Sequence, residues 1–113
     1  MKARSPGAQN MGSQANMMKK IQQMQEDMAR VQEEVENSEF TSSSGGGMVE
    51  VTVNGKHEAT KIKMDPEIVD PDEIEMLEDM ILAALNESIR KANDAMEQGM
   101  ENAKGGLSIP GLF

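Results

Sequence analysis

The fold is decided by the stretch Gly47-Met48-Val49-Glu50-Val51-Thr52-Val53-Asn54-Gly55. Apolar and polar residues alternate along it, which is typical of a β-strand with one buried and one exposed face. Asn54-Gly55 predicts a two-residue hairpin turn, because both residues tolerate positive φ. Such a turn would place Val53 opposite Lys56 in the next strand. One face of the hairpin would then carry the apolar or partly apolar residues Val49, Val51, Val53, Thr60, Ile62 and Met64.

Segments on either side of this strand extend it to a three-stranded antiparallel sheet. Residues 39–44 can form a weak strand, and the glycines Gly45–Gly47 supply a turn into the next one. Asp65-Pro66 ends the third strand, because proline cannot donate a hydrogen bond to a neighbouring strand.

A long helix precedes the sheet. Its apolar residues are spaced 4, 3, 4, 3 and 4 positions apart, the a/d pattern of a heptad repeat, and they are Met17, Ile21, Met24, Met28, Val31 and Val35. Ser13 is a candidate N-cap for this helix. Residues 1–12 are rich in Gly, Ser, Asn and Gln without an apolar period, so we expect them to be disordered.

A second long helix follows the sheet. Asp70 is its candidate N-cap, and Pro71 stands at the first helical position, where proline is favoured. The apolar face is wider than that of the first helix and carries Ile74, Leu77, Ile81, Leu85, Ile89, Ala92 and Met96. Gly105-Gly106 is expected to end the helix near Ala103, and Gly99 is expected to be a weak point within it.

The element order predicts an α+β fold, α-β-β-β-α, with two long helices and a three-stranded antiparallel sheet. We assign it to one domain of residues 13–104, a size ordinary for a single domain, followed by a flexible apolar tail of residues 105–113. The chain has only two Phe, no Tyr and no Trp, so its core must be aliphatic and rich in methionine.

The two helices are predicted to be longer than the sheet, so the sheet alone cannot cover them. A strand of this size spans about 17–20 Å, whereas the first helix would reach about 35 Å. The overhanging helices can pack against each other within one chain or against a second chain, and a homodimer is the simplest assembly of the second kind. The residues expected in the core or dimer interface are Met24, Met28, Val51, Leu77, Ile81 and Leu85.

Composition argues against an enzyme. The chain has no cysteine, which excludes thiolate metal sites, and a single histidine, His57, which excludes metal sites built on a pair of histidines. We therefore predict no catalytic residue, metal or cofactor. The longest apolar run, residues 80–85, is too short to span a membrane. No apolar segment of a signal peptide follows the first basic residues, so we expect a soluble cytoplasmic protein.

Three separated motifs, followed by a Leu-x-x-Pro-Gly pattern in the tail, resemble the YbaB/EbfC family: Met18–Gln25, Gly47–Gly55 and Met76–Asn86. The resemblance covers residues 17–113 and implies an intertwined, tweezer-like α-β-β-β-α homodimer. It further implies a bacterial nucleoid-associated protein that binds double-stranded DNA with little sequence preference and influences gene expression, nucleoid organisation or DNA repair. It leaves room for a protein partner in recombinational repair.

The resemblance attributes the DNA contacts to the projecting helices. The basic residues at the matching positions are Lys19, Lys20, Arg90 and Lys91. Glu50 stands where relatives often carry a basic residue, which argues against a DNA role for the exposed sheet face.

Charge complicates the DNA interpretation, because a net charge of −9 opposes binding to phosphates. Lys19 and Lys20 stand near the predicted start of the first helix, where the helix dipole disfavours cations, so helix stability does not explain them. Arg90 and Lys91 each have an acidic residue four positions away, so ion pairs within the helix are enough to explain both of them. The alternative function is a protein-interaction or scaffold dimer with no DNA binding of its own, whose methionine-rich helices dock on another protein.

Overall fold

The computed structural model describes the backbone of residues 6–105 and the side chains of residues 14–105. The elements in chain order are α1 (Pro6–Glu36), β1 (Glu39–Ser44), β2 (Val49–Asn54), β3 (Ala59–Met64), two short 3-10 turns (Pro66–Ile68 and Pro71–Glu73) and α2 (Ile74–Ala103). This order confirms the predicted α+β fold, α-β-β-β-α. The molecule is elongated and measures 92 × 22 × 17 Å along its principal axes.

The starts of both helices differ from the prediction. α2 begins at Ile74, and Asp70 caps the preceding 3-10 turn instead, where its side chain accepts from the N–H of Asp72.

α1 begins at Pro6, so Ser13 lies inside the helix instead of capping it. Proline is tolerated in a first turn, and each residue added to an established helix gains a backbone hydrogen bond, which offsets the poor helix propensity of Gly7 and Gly12. Residues 6–12, which were expected to be disordered, belong to α1. The remaining residues of that segment, 1–5, and residues 106–113 of the tail lie outside the described residues.

α2 ends at Ala103, as predicted. Gly105 follows in the left-handed conformation with φ of 63°, and the N–H groups of Lys104 and Gly105 donate to the carbonyls of Met100 and Asn102. A glycine in this conformation satisfies the last carbonyls of a helix without steric cost.

The sheet has the predicted antiparallel order β1-β2-β3, but the predicted register of the hairpin is wrong. Val53 pairs with Ala59 instead of Lys56, and the pairing shifts by a bulge between Thr52 and Val53. Four residues, 55–58, therefore connect the strands. The Asn54 side-chain oxygen closes this loop by accepting from the N–H groups of Lys56 and Glu58, at 2.9 and 3.1 Å.

Gly55 explains why the two-residue turn does not form. Its φ is not positive; His57 carries the positive φ of the loop, at 67°. A Cβ on Gly55 would lie 2.0 Å from the carbonyl oxygen of Val35 and 2.7 Å from Cα of Glu36. The glycine therefore lets the hairpin approach the end of α1, a long-range contact that overrides the local turn preference of Asn54-Gly55.

The core lies between the sheet and α2. Val49, Val51 and Val53 of β2 are fully buried. The helix contributes a line of mostly small buried residues, which are Leu77, Ala84, Ser88 and Ala92. The Oγ atom of Ser88 donates to the carbonyl of Val51 at 2.7 Å, so the helix approaches β2 closely enough for direct polar contact.

One apolar face of the sheet was predicted, and α2 covers only part of it. β3 is exposed along its whole length, although Ile62 lies opposite Val51 and Met64 opposite Val49. Because paired residues project from the same face, these two side chains continue the core face beyond the helix. Ile62 is 50% exposed and Met64 is 40% exposed.

The seam of α1 packs against the C-terminal half of α2. Met24 is buried, and its seam neighbours Met28, Val31 and Val35 are half-buried. Within the chain, the first helix therefore packs against the second. Of the other expected core or interface residues, Leu77 is buried and the half-buried ones are Ile81 and Leu85.

Candidate nucleic-acid interface

A groove between the two helices gathers basic side chains far from the sheet. It encloses about 320 Å³, and we call it the basic groove. It is lined by Lys19, Lys20, Gln23, Met24 and Asp27 of α1 and by Ala103 and Lys104 of α2. The antiparallel packing of the helices places the last residues of α2 beside this part of α1. Two of the four predicted DNA-binding residues therefore share one site.

Lys104 is the residue that sequence reasoning missed. It is the C-cap of α2, and a lysine there is explained by the helix dipole alone. Nothing local therefore marks it as a ligand contact. Its side chain is about one-quarter exposed, and Nζ lies 3.9 Å from a carboxylate oxygen of Glu101. Only the pairing of the helices shows that it adds a third lysine to Lys19 and Lys20.

The basic groove carries one carboxylate, that of Asp27. Arg30, one helical turn further along α1, approaches this carboxylate to 3.1 Å. This exposed ion pair offsets part of the Asp27 charge, and Glu101 offsets part of the charge of Lys104. The lining of the groove itself carries three lysines and one aspartate.

Arg90 and Lys91 lie elsewhere and already have partners. The Arg90 guanidinium forms a forked contact with the Glu87 carboxylate, in which Nε donates to Oε2 at 3.0 Å and Nη2 donates to Oε1. This contact lowers the pKa of Glu87 and raises the pKa of Arg90. Lys91 Nζ donates to the backbone carbonyl of Thr41 at 2.7 Å.

These contacts tie α2 internally and to β1. Lys91 and Lys104 are also about 20 Å apart along the axis of α2, at the rise of an α-helix. The structure therefore does not bring Arg90 and Lys91 together with the lysines of the basic groove.

Acidic residues occupy the neighbouring surface of α2. A separate shallow recess is lined by Asp94, Glu97, Gln98 and Glu101. This recess repels phosphates, whereas the basic groove attracts them. The opposite signs of the two surfaces restrict where a polyanion can approach the helices.

The outer face of the sheet has mixed charge. Glu50 of β2 lies directly opposite Lys63 of β3, and Thr52 lies opposite Lys61. Opposite charges across a strand pair attract each other, so this face offers less net positive charge than its lysines alone suggest.

His57 has a structural contact. Its Nε2 lies 2.5 Å from Oδ1 of Asn93, which ties the hairpin loop to α2. Within residues 14–105, no group of three or more His, Cys, Asp or Glu side chains is arranged to hold a metal ion. Neither helix, over its described residues, is long and apolar enough to cross a membrane.

Comparisons with known proteins agree on one family. The model of the YbaB/EbfC DNA-binding family matches residues 11–107. A nucleoid-associated protein of Pelotomaculum thermopropionicum is 50% identical over 102 residues, 90% of this chain and 97% of the relative. A nucleoid-associated protein of Clostridium acetobutylicum is 50% identical over 101 residues, 89% of this chain and 90% of the relative.

A solved structure shares the fold. An uncharacterized protein of Helicobacter pylori superimposes with a TM-score of 0.57 at 24% sequence identity, covering 69% of this chain and 90% of that protein. At this level of identity, the likeness establishes the arrangement of the helices and strands alone.

Proposed function

The chain belongs to the YbaB/EbfC DNA-binding family, and we propose that it is a nucleoid-associated protein that binds double-stranded DNA as a homodimer with little sequence preference. It would act in the bacterial cytoplasm, on the nucleoid. The observation that carries this proposal is the basic groove, in which Lys19 and Lys20 of α1 meet Lys104 of α2.

Segregation of charge reconciles this function with an acidic protein. Affinity for duplex DNA arises mainly from cations that displace condensed counterions, and acidic surface opposes it. Contact depends on the local potential and not on the net charge. The lysines lie together in the basic groove, whereas Asp94, Glu97 and Glu101 line a separate recess that adjoins the groove at the Glu101–Lys104 pair.

Low sequence preference follows from the chemistry of the groove. Lysine binds a phosphate as a point charge, and phosphate contacts position a protein without reading the bases. Phe40, the only aromatic residue among residues 14–105, packs against the core and is not available to stack on bases.

The uncovered face of β3 supports the homodimer. Ile62 and Met64 extend the apolar core face into solvent, and β3 is an edge strand with one unpaired side. A second copy that covers these side chains would remove apolar surface from water at about 25 cal/mol per Å². A dimer would also carry two basic grooves.

Arg90 and Lys91 take a lesser part in this proposal. Arg90 is paired with the Glu87 carboxylate, and Lys91, held at the carbonyl of Thr41, lies about 20 Å from Lys104 along α2. We therefore place the principal DNA contacts at the basic groove.

The proposal extends to the wider roles that the resemblance implied. These are an influence on gene expression, nucleoid organisation or DNA repair, the last with a protein partner in recombinational repair.

A salt titration of DNA binding tests the proposal. Three lysines from each of two chains would neutralise about six phosphates, which predicts a slope of log affinity against log salt of about −5. Duplexes of unrelated sequence should bind alike. A protein that fails to retain duplex DNA even at low ionic strength would contradict the DNA function and favour the scaffold alternative.

A further inference from the structure

An apolar strip lies on α1 beside the basic groove. Met17 is 61% exposed and Met18 is 69% exposed, the largest values among the exposed large hydrophobic residues that the structure describes. Ile21 is half-buried, and together with Met18 it lines a shallow recess whose other sides are Gln22 and Gln25. We call Met17, Met18 and Ile21 the methionine strip.

The strip is exposed because the packing of the two helices ends before it. Met24 is buried where the end of α2 lies beside α1. One heptad earlier, Met17 occupies the same seam position, but α2 ends at Ala103. The described residues of α2 therefore do not continue the seam over Met17.

We propose that the methionine strip presses against the minor groove of bound DNA and bends the duplex, an inference that rests on the DNA-binding function proposed above. DNA is the expected partner because positively charged lysines adjoin the strip. Lys20 lies one helical turn from Met17, so any partner that covers the strip also meets the lysines. DNA offers phosphates to the lysines and, at a partly unstacked base step, apolar base faces to the methionines.

A second copy of the chain fits this surface less well. Two strips facing each other about a two-fold axis would bring Lys19, Lys20 and Lys104 of both chains together, and like charges repel. An uncharged apolar protein surface would desolvate the same lysines without pairing them.

Methionine suits the role chemically. Proteins that bend DNA through the minor groove insert apolar side chains, methionine among them, between base steps and use nearby cations on the phosphates. Methionine is unbranched and flexible, so it can adapt to base steps of different sequence. The mechanism therefore keeps the low sequence preference of the basic groove and adds deformation of the duplex.

Fluorescence energy transfer across a duplex of about 20 base pairs, which is straight when free, tests this inference. The dyes stand at the two ends, and the duplex is saturated with the full-length protein. We expect the wild type to raise the transfer efficiency. The double variant Met17→Gln/Met18→Gln should bind with the same salt slope but without the rise, and Met17→Leu/Met18→Leu should retain it.

Val69→Thr provides the control, because Val69 is another exposed apolar residue, 50% exposed, that lies outside both helices and the groove. It should bend DNA like the wild type. Unchanged transfer on binding of the wild type, or equal bending by the glutamine variant, would overturn the inference while leaving DNA binding intact. A glutamine variant that sediments as a smaller species without DNA would also overturn it, because the strip would then be a contact between copies. Absence of DNA binding by the wild type would refute both proposals.

Discussion

A Cβ atom added to Gly99 of α2 would lie 2.5 Å from Cγ1 of Val31 on α1. At this point the two helices come so close that only a hydrogen fits between them. The contact lies one helical turn before Ala103, which lines the basic groove, so it helps to hold the end of α2 against α1. Gly99, which the sequence marked as a weak point of the helix, is therefore a packing position.

Replacing Gly99 by Ala tests this contact. On an exposed helix, this change would stabilise the protein by up to about 1 kcal/mol. Here we expect a loss of about 1–3 kcal/mol, because the added methyl group overpacks the contact with Val31. Urea unfolding measures it, and Val31→Ala in the same chain should recover part of the loss as a double-mutant cycle. A stabilised Gly99→Ala protein would show that the helices are further apart.

Gly55→Ala should be more damaging than an ordinary turn substitution. The new Cβ would meet the backbone of Val35 and Glu36, which cannot rotate away as a side chain can. We expect a loss of about 3 kcal/mol, seen as a lower urea midpoint. Lys56→Ala in the same loop is the control and should stay within about 0.5 kcal/mol of the wild type. Equal stability of the two variants would contradict the close approach.

Ser88→Ala removes the hydrogen bond from α2 to the carbonyl of Val51. We expect a cost of about 1 kcal/mol, the usual net value of one such bond. Ser88→Val should cost more, about 1–3 kcal/mol, because the site is fully buried and has no room for a second branch. Thermal or chemical unfolding gives both values. A valine variant as stable as the alanine variant would argue against the tight packing of α2 on β2.

The lysines of the basic groove should determine the salt dependence of DNA binding. In the dimer, Lys104→Ala should flatten the slope of log affinity against log salt by about 2 units, and Lys19→Ala/Lys20→Ala by about 3–4 units. Fluorescence anisotropy at several salt concentrations measures the slopes. The control is Lys61→Ala/Lys63→Ala on the outer face of the sheet, which should leave the slope unchanged. An effect of the control larger than that of Lys104→Ala would move the site to the sheet.

The face of β3 that projects beyond α2 should control assembly. Ile62→Glu places a charge on the apolar face and should shift the protein from dimer to monomer in sedimentation, since burying an unpaired carboxylate is costly. Lys61→Glu, one position away and on the opposite face, should remain dimeric. If both variants sediment like the wild type, the dimer interface lies elsewhere.

Local patterns in the sequence encode each helix and strand, which is why the order α-β-β-β-α and the end of α2 are readable without coordinates. The alternation of β2 and the heptad spacing of α1 are properties of neighbouring residues. The hairpin register is not such a property. Asn54-Gly55 favours a two-residue turn locally, but the approach of Gly55 to Val35 selects a longer loop.

The lysines of the basic groove also differ in whether the sequence alone could identify them. Lys19 and Lys20 were predictable because they match the resemblance. The helix dipole, invoked for a helix that starts near Ser13, does not distinguish them, because α1 begins at Pro6 and the dipole acts mainly within the first turn. Lys104 was not predictable, since at the end of α2 it has an ordinary explanation. The sequence by itself thus determined the elements, the apolar faces and the charge carried by each helix. Only the tertiary structure decided that α2 leaves β3 uncovered and that its last turn joins the lysines of α1, because contacts between segments far apart in the chain depend on how whole surfaces fit together.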